Sequence, residues 1–229
     1  MSALNSIPVT TVTDQESYRL INSKFPPIDL FNDVADNDEF EAIYAVQGLT
    51  NPRLRNSVGQ IRLVPEDERP FGIPGCNYAL GPFVHLNPAG SRFSDGSFGV
   101  LYSAADESTS VAETKYHQEK YFRNVQGLHY DSLCMRTLKV VFSADLFDIS
   151  DANPEWQQYR DPDDYTAPRI LGGSIRQAKK HGLLYQSVRQ TGHLCFALFT
   201  PILVSSVIQT SHYVYEWDGT SISATRKMA

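Results

Sequence analysis

Residues 90–117 read GSRFSDGSFGVLYSAADESTSVAETKYH. A glycine opens a polar turn that carries Arg92. An apolar, β-rich run, FGVLYSA, follows and ends just past Tyr102. A polar stretch then leads into a helical pattern from about Thr109 to Phe122, with Glu113 near its start. Arg92, Tyr102 and Glu113 fall ten and eleven residues apart. A strand handing over to a helix within thirty residues points to a mixed α and β fold. On spacing alone, SVAE (110–113) matches a capping box in which Glu113 reaches back to the helix start.

The flanking sequence extends this pattern. Residues 1–16 are polar and read as loose, and YRLI (18–21) reads as a short strand before an extended turn at Pro26-Pro27. DNDEFEAIYAVQG (36–48) reads as a helix capped by Asp36 or Asn37, with Phe40, Ile43, Tyr44 and Gln47 on one face and Gly48 at its end. Residues 50–83, rich in proline and glycine, read as a long irregular excursion. SLCMRTLKVVFSADLFDIS gives one or two strands, and DANPEWQQYRDPDDYTAP an acidic loop. RILGGSIRQAKKHG is a helix with Lys179, Lys180 and His181 in its last turn and Gly182 as its C-terminal cap. LLYQSV and CFALFTPILVSSVIQ are β-rich, and YVYEWDGTSISATR is a closing hairpin turning at Asp218-Gly219. The expectation is one α+β domain over 1–229, with a mixed or antiparallel twisted sheet as its core and helices flanking it.

Composition narrows the function classes. The chain has 229 residues, 41% hydrophobic and 20% charged, which are globular values. A formal net charge of −6 argues against a broad nucleic-acid or anionic-membrane surface and leaves room for a local basic pocket. No apolar run reaches the length of a membrane span, and the N-terminus lacks the basic flank and apolar core of a signal peptide. Cys76, Cys134 and Cys195 are scattered and odd in number, which suits free thiols in a cytoplasm.

Standard catalytic motifs are absent: no phosphate-binding loop with its lysine, no glycine-rich dinucleotide fingerprint, no serine elbow. Glu113 and His117, at i and i+4, have the spacing to share a metal, but no third ligand is visible. Taken one at a time, the remaining candidates have ordinary readings. Tyr102 would be a half-buried strand aromatic, Arg92 a surface ion-pair residue, Ser187 a strand serine and Arg189 a rim charge.

Together they resemble the RES domain, a family named for an arginine, a glutamate and a serine. The likeness is carried by residues 90–117 and by GGSIRQAKKHGLLYQSVRQTGHLCFALFTP (172–201), with YRLI similar to the family's first arginine-bearing strand. It spans about 85–204, and residues 28–84 look like an insertion. The resemblance implies a fold similar to ADP-ribosyltransferases and a bacterial toxin that degrades NAD⁺ by hydrolysis or phosphorolysis. It implies NAD⁺ as substrate, no prosthetic group, and a cognate Xre-like helix-turn-helix antitoxin in a hetero-oligomeric complex. An ADP-ribosyltransferase acting on a host protein and a non-catalytic partner-binding module are the alternatives. By motif position, Glu113, Arg92 and Tyr102 take catalytic roles. Arg19, Arg92, Tyr102, Ser187 and Arg189 would bind NAD⁺.

These residue types suit that substrate. Nicotinamide departs as a neutral amine, so no general acid is needed and one carboxylate is enough, unlike ordinary glycoside hydrolysis. Glu113 could stabilise the charge that develops at the anomeric carbon. Arginine forks match pyrophosphate oxygens, the role open to Arg92 and Arg19. Tyr102 could stack on the nicotinamide ring, Ser187 could donate a hydrogen bond to the amide or a phosphate, and Arg189 could help seat the dinucleotide.

Overall fold

In a computed structural model of the chain, the described residues are 3–24, 31, 34–50 and 58–228. The Pro26-Pro27 turn and parts of the segment read as an insertion lie outside them. Seven strands form one mixed sheet: β1 (Val9–Asn22), β2 (Leu101–Ala104), β3 (Asp131–Ile149), β4 (Gly182–Gln186), β5 (Leu194–Leu198), β6 (Val204–Trp217) and β7 (Ile222–Met228). Among the described residues four helices accompany them: α1 (Asn37–Thr50), α2 (Cys76–Val84), α3 (Glu107–Arg123) and α4 (Thr166–Gln177). No described helix is long and apolar enough to cross a membrane.

The strand order is β1-β2-β5-β4-β3-β6-β7, and β1 also pairs with β3. Five strands therefore close on themselves, and the β6–β7 hairpin extends from β3. Only β3 and β4 run parallel. The ring is tight everywhere except at β1 and β2, which share a single register pair, Tyr18 with Ala104.

Period-two alternation explains why β4 and β5 sit in the middle. Leu184, Phe196 and Leu198 enter one apolar cluster, whereas Leu183, Tyr185, Cys195 and Ala197 enter another. Strands buried on both faces read as continuous apolar runs, as LLY and CFAL do here. The first cluster takes in Leu138, Val140, Phe142, Ala144 and Leu146 of β3 together with α2 and Phe40 of α1. The second is roofed by Leu171 and Ile175 of α4. A third packs Phe122 of α3 against Tyr215, Trp217 and Ile222 of the hairpin. Lys227 and Tyr213 of that hairpin both donate to Glu107 at the start of α3, at 2.6 and 2.9 Å.

Several expectations are corrected. Residues 9–16 are not loose: Val9, Thr10, Thr11 and Val12 are β-branched and pair in register with Phe147 to Ala144 of β3. A bulge at Asp14 (φ 48) precedes Gln15. The reading of 50–83 as irregular missed α2, where six of nine residues are buried in the core despite the interior Pro82. Tertiary burial overrides the proline signal there. Helix α1 is capped by Asp36, which accepts from the Glu39 amide at 2.8 Å, and it runs past Gly48 to Thr50. Gly182 does not cap α4. Lys179 takes the left-handed position (φ 52), with Lys179 N–H donating to Arg176 and Lys180 N–H to Ile175, the bond pair of a Schellman motif. Gly182 instead opens β4. SLCMRTLKVVFSADLFDIS is one continuous strand, and the Asp218-Gly219 hairpin turn is as read.

Helix α4 lies against the loop that carries Arg92 with no room to spare. A Cβ at Gly172 would fall 1.9 Å from the Phe93 carbonyl oxygen. Overpacking of this kind costs about 1–3 kcal/mol. Gly172→Ala is therefore expected to lower the melting temperature by several degrees, read by circular dichroism, whereas Gly173→Ala, which meets nothing within 4 Å, leaves it unchanged or raised.

Candidate active site

The seam between β1 and β2 opens into a cavity of about 810 Å³, within the range of small-molecule sites. Arg19 and Leu20 of β1, Tyr102 of β2, Glu113 and His117 of α3, and Arg92 line it. Arg169 of α4, Lys120, Asp163 and Tyr165 complete the rim. Arg19, Arg92, Tyr102 and Glu113, expected together from the sequence, do meet in one cavity.

Each is held by its own local structure. Gly90 sits at φ 76, which lets the chain turn back so that Ser91 N–H donates to the Ser94 carbonyl at 2.7 Å. That turn delivers Arg92, which is only 9% exposed and so is not a surface ion-pair residue. Its Nη1 donates to the carbonyls of Asp161 (2.8 Å) and Tyr159 (3.3 Å), and its guanidinium lies 4.6 Å from the Tyr165 ring centroid. The partner loop organises itself: the Asp161 carboxylate accepts from the amides of Asp163 (2.8 Å) and Asp164 (2.7 Å). Arg19 Nη1 donates to the Tyr102 carbonyl at 2.9 Å. Burial lowers the Arg19 pKa to about 10, so it stays charged at neutral pH.

Tyr102 is a hub as well as a wall. Its Oη accepts from Phe93 N–H at 2.9 Å and shares a 2.8 Å hydrogen bond with Ser91 Oγ. Burial pushes its pKa up to about 12, so the phenol remains neutral. His117 is held below the ordinary imidazole value, chiefly by burial. Burial likewise raises the thiol of Cys195, which lines the cavity as a neutral group.

Glu113 is not part of a capping box. Asp106 caps α3, its Oδ1 accepting from Thr109 N–H at 2.8 Å. Glu113 lies about two turns into α3 and accepts from Ser187 Oγ at 2.6 Å. Ser187 in turn accepts from the amides of Arg189 (3.1 Å) and Gln190 (3.0 Å). With its one proton given to Glu113, Ser187 holds the carboxylate and has none left for a ligand amide. Arg189 is not among the cavity's lining residues. It donates to the Pro162 carbonyl at 2.7 Å and stacks on Tyr116, whose Oη donates to Asp163 at 2.7 Å. Arg189 thus straps the 161–165 loop to α3. Among the described residues no cluster of three metal-ligating side chains occurs.

Sequence reasoning missed Arg169, Tyr165 and Lys120. Arg169 donates to the carbonyls of Ala89 (2.8 Å) and Ser91 (3.1 Å), bracing the Gly90 turn. Its only trace in the sequence is an arginine one turn into a helix after DPDDY, a pattern without functional meaning until the fold brings it to residue 90.

The RES domain family matches residues 69–218. The matched span includes Arg92, Tyr102, Glu113, Ser187 and Arg189, and residues 69–84 of the segment read as an insertion; Arg19 lies outside it. The uncharacterized protein y4oC of Sinorhizobium fredii (strain NBRC 101917 / NGR234) is 32% identical over 210 residues, covering 91% of this chain and 85% of that one. A crystal structure of the M. tuberculosis MbcT-MbcA toxin-antitoxin complex aligns with a TM-score of 0.37 and 12% identity, covering 54% of this chain and 73% of that one. That likeness is too remote to locate residues by.

Removing the Tyr102 hydroxyl leaves the Phe93 amide, within a fully buried residue, without its acceptor. An orphaned buried donor costs about 1–3 kcal/mol. Tyr102→Phe should lower the unfolding free energy by that amount, seen as a lower urea midpoint at an unchanged slope. A variant as stable as the parent would mean that the Gly90–Phe93 turn does not depend on this phenol.

Proposed function

The chain belongs to the RES domain family, and we propose that it is the toxin of a bacterial toxin–antitoxin pair that consumes NAD⁺ by breaking its nicotinamide–ribose bond. The observation that carries this reading is the convergence, in one cavity, of the Glu113 carboxylate, held by Ser187, with the guanidiniums of Arg19 and Arg92. Arg19 and Arg92 each use one nitrogen on backbone carbonyls, and their other donors have no hydrogen-bond partner among the described residues. Paired phosphates of a dinucleotide match what remains of the two forks.

The chemistry asks little else of the protein. The bond from the ribose C1′ to the pyridinium nitrogen breaks, and its electron pair neutralises the departing nicotinamide. Positive charge develops on the ribose. The Glu113 carboxylate, aimed by Ser187, stabilises that charge and holds a ribose hydroxyl. An acceptor oxygen then bonds to C1′ and loses its proton. Water, phosphate or a protein side chain can each supply that oxygen. Tyr102 and Tyr165 offer aromatic faces for the bases. No general acid is required, because the departing nicotinamide is already neutral.

Labelled NAD⁺ incubated with the pure protein, with and without phosphate and cell lysate, should release nicotinamide, and the co-product identifies the acceptor. Glu113→Gln should lower turnover by roughly 10²–10³ without unfolding, since glutamine can still accept from Ser187. Turnover equal to the parent's would remove Glu113 from the mechanism.

A toxin of this kind requires an antitoxin, and the family points to an Xre-like protein. The uncommitted guanidinium donors at the cavity suit an acidic side chain or a chain-end carboxylate on that partner. Titrating the purified pair with NAD⁺ should weaken apparent antitoxin affinity in proportion to its concentration. Undiminished binding at saturating NAD⁺ would place the antitoxin away from the cavity.

A further inference from the structure

The Glu113–Ser187 hydrogen bond joins α3 to the β4–β5 loop, two pieces of chain that also meet where Ala105 N–H donates to the Leu194 carbonyl at 2.9 Å. Glu113 rides on α3. Ser187 opens the tight loop between β4 and β5, which is closed on itself by Ser187 N–H to the His193 carbonyl (2.8 Å) and His193 N–H to the Gln190 carbonyl (3.2 Å). One carboxylate meets both pieces. Asp106 caps α3 through Thr109 N–H, and its other oxygen, Oδ2, lies 2.9 Å from His193 Nδ1. The far side of the same imidazole touches Gln190 Nε2 at 3.2 Å, and Gln190 reaches Ser108 Oγ at 3.3 Å. The Gln190 amide is one of the two donors that orient Ser187 Oγ. Neither Asp106 nor His193 lines the cavity.

We propose that Asp106 and His193 are positioning residues for Glu113. The Asp106 carboxylate ties the start of the helix that carries Glu113 to the loop that carries Ser187, and so fixes both ends of the Glu113–Ser187 hydrogen bond. The assignment rests on the NAD⁺-cleaving reading for its catalytic consequence, and on these distances alone for its structural one. A catalytic group held off its mark by about 1 Å can lose about 10²-fold in rate. Loosening the loop from the helix would shift Glu113 relative to the ribose while leaving the guanidiniums, which hold the phosphates, where they are.

The test uses the full chain and two readouts. His193→Ala should lower kcat by about 10–100-fold with KM within about threefold of the parent, the pattern of an interaction that matters only in the transition state. His193→Asn, whose amide nitrogen occupies the place of Nδ1, should recover most of that loss. Asp106→Ser keeps a good helix cap but cannot reach His193, and should match His193→Ala. Hydrogen exchange at the Arg189 and Gln190 amides should quicken in His193→Ala and Asp106→Ser at an unchanged melting temperature. Parent-like kcat in both variants, or equal losses in the alanine and asparagine variants, would overturn the catalytic role. If the parent itself releases no nicotinamide, the functional reading fails, and exchange alone then decides the positioning. Faster exchange at both amides supports it, and unaltered exchange overturns it.

Discussion

One register pair, Tyr18 with Ala104, is the whole of the backbone ladder between β1 and β2, and the cavity depends on the ladder stopping there. A complete ladder at this seam would fill it with backbone, and side chains would close the interior as in other small barrels. Instead the strands separate, and Arg19 bridges the gap through its guanidinium to the Tyr102 carbonyl. That one bond places a permanent cation at the inner end of the opening and covers a carbonyl that would otherwise be unpaired. Everything else at the site is arranged around the same seam. Tyr102 presents its ring and hydroxyl from β2, the Gly90 turn hangs from that hydroxyl, and α3 crosses with Glu113.

The electrostatics follow from which groups are allowed to carry charge. The chain as a whole is acidic, yet the cavity holds Arg19, Arg92 and Arg169 against Glu113, with Asp163, Asp164 and Lys120 on the rim. Burial keeps Tyr102 and Cys195 protonated and His117 below its ordinary value. The inner wall presents guanidiniums and the Glu113 carboxylate, each already held in place by hydrogen bonds. Its charges need no reorganisation when a ligand enters, which is what preorganised stabilisation requires.

The parts of this that the sequence disclosed are those governed by local rules. The strand through Tyr102, the helix carrying Glu113, α4 and the final hairpin all announce themselves by period or turn chemistry. The resemblance to the RES family brought Arg92, Tyr102 and Glu113 together before any coordinates did. What stayed hidden was non-local. SVAE satisfies the capping pattern, but Asp106, one turn earlier, holds the cap because it also gains His193 from eighty-seven residues away. Helix α2 was masked by Pro82 and glycines because its stability comes from burial on the sheet. Strand β1 extends far upstream of YRLI because β3 offers a long edge to pair with. Ser187 was read as a ligand donor, since nothing in LLYQSVR reveals that its proton goes to a glutamate 74 positions away.

The sheet also acts as a partition. No described residue of 34–84 lines the cavity, and Phe40, Val64 and α2 pack with Leu101 into the cluster on the far side of β2 from Tyr102. Substitutions on that far side and substitutions at the cavity share few partners, so their free-energy effects should sum rather than interact. Persistence of the folded chain and the make-up of the cavity are then separately adjustable traits. A lineage can drift through the outer segment, gaining or losing folded protein, while the cavity in each folded molecule stays as the seam sets it.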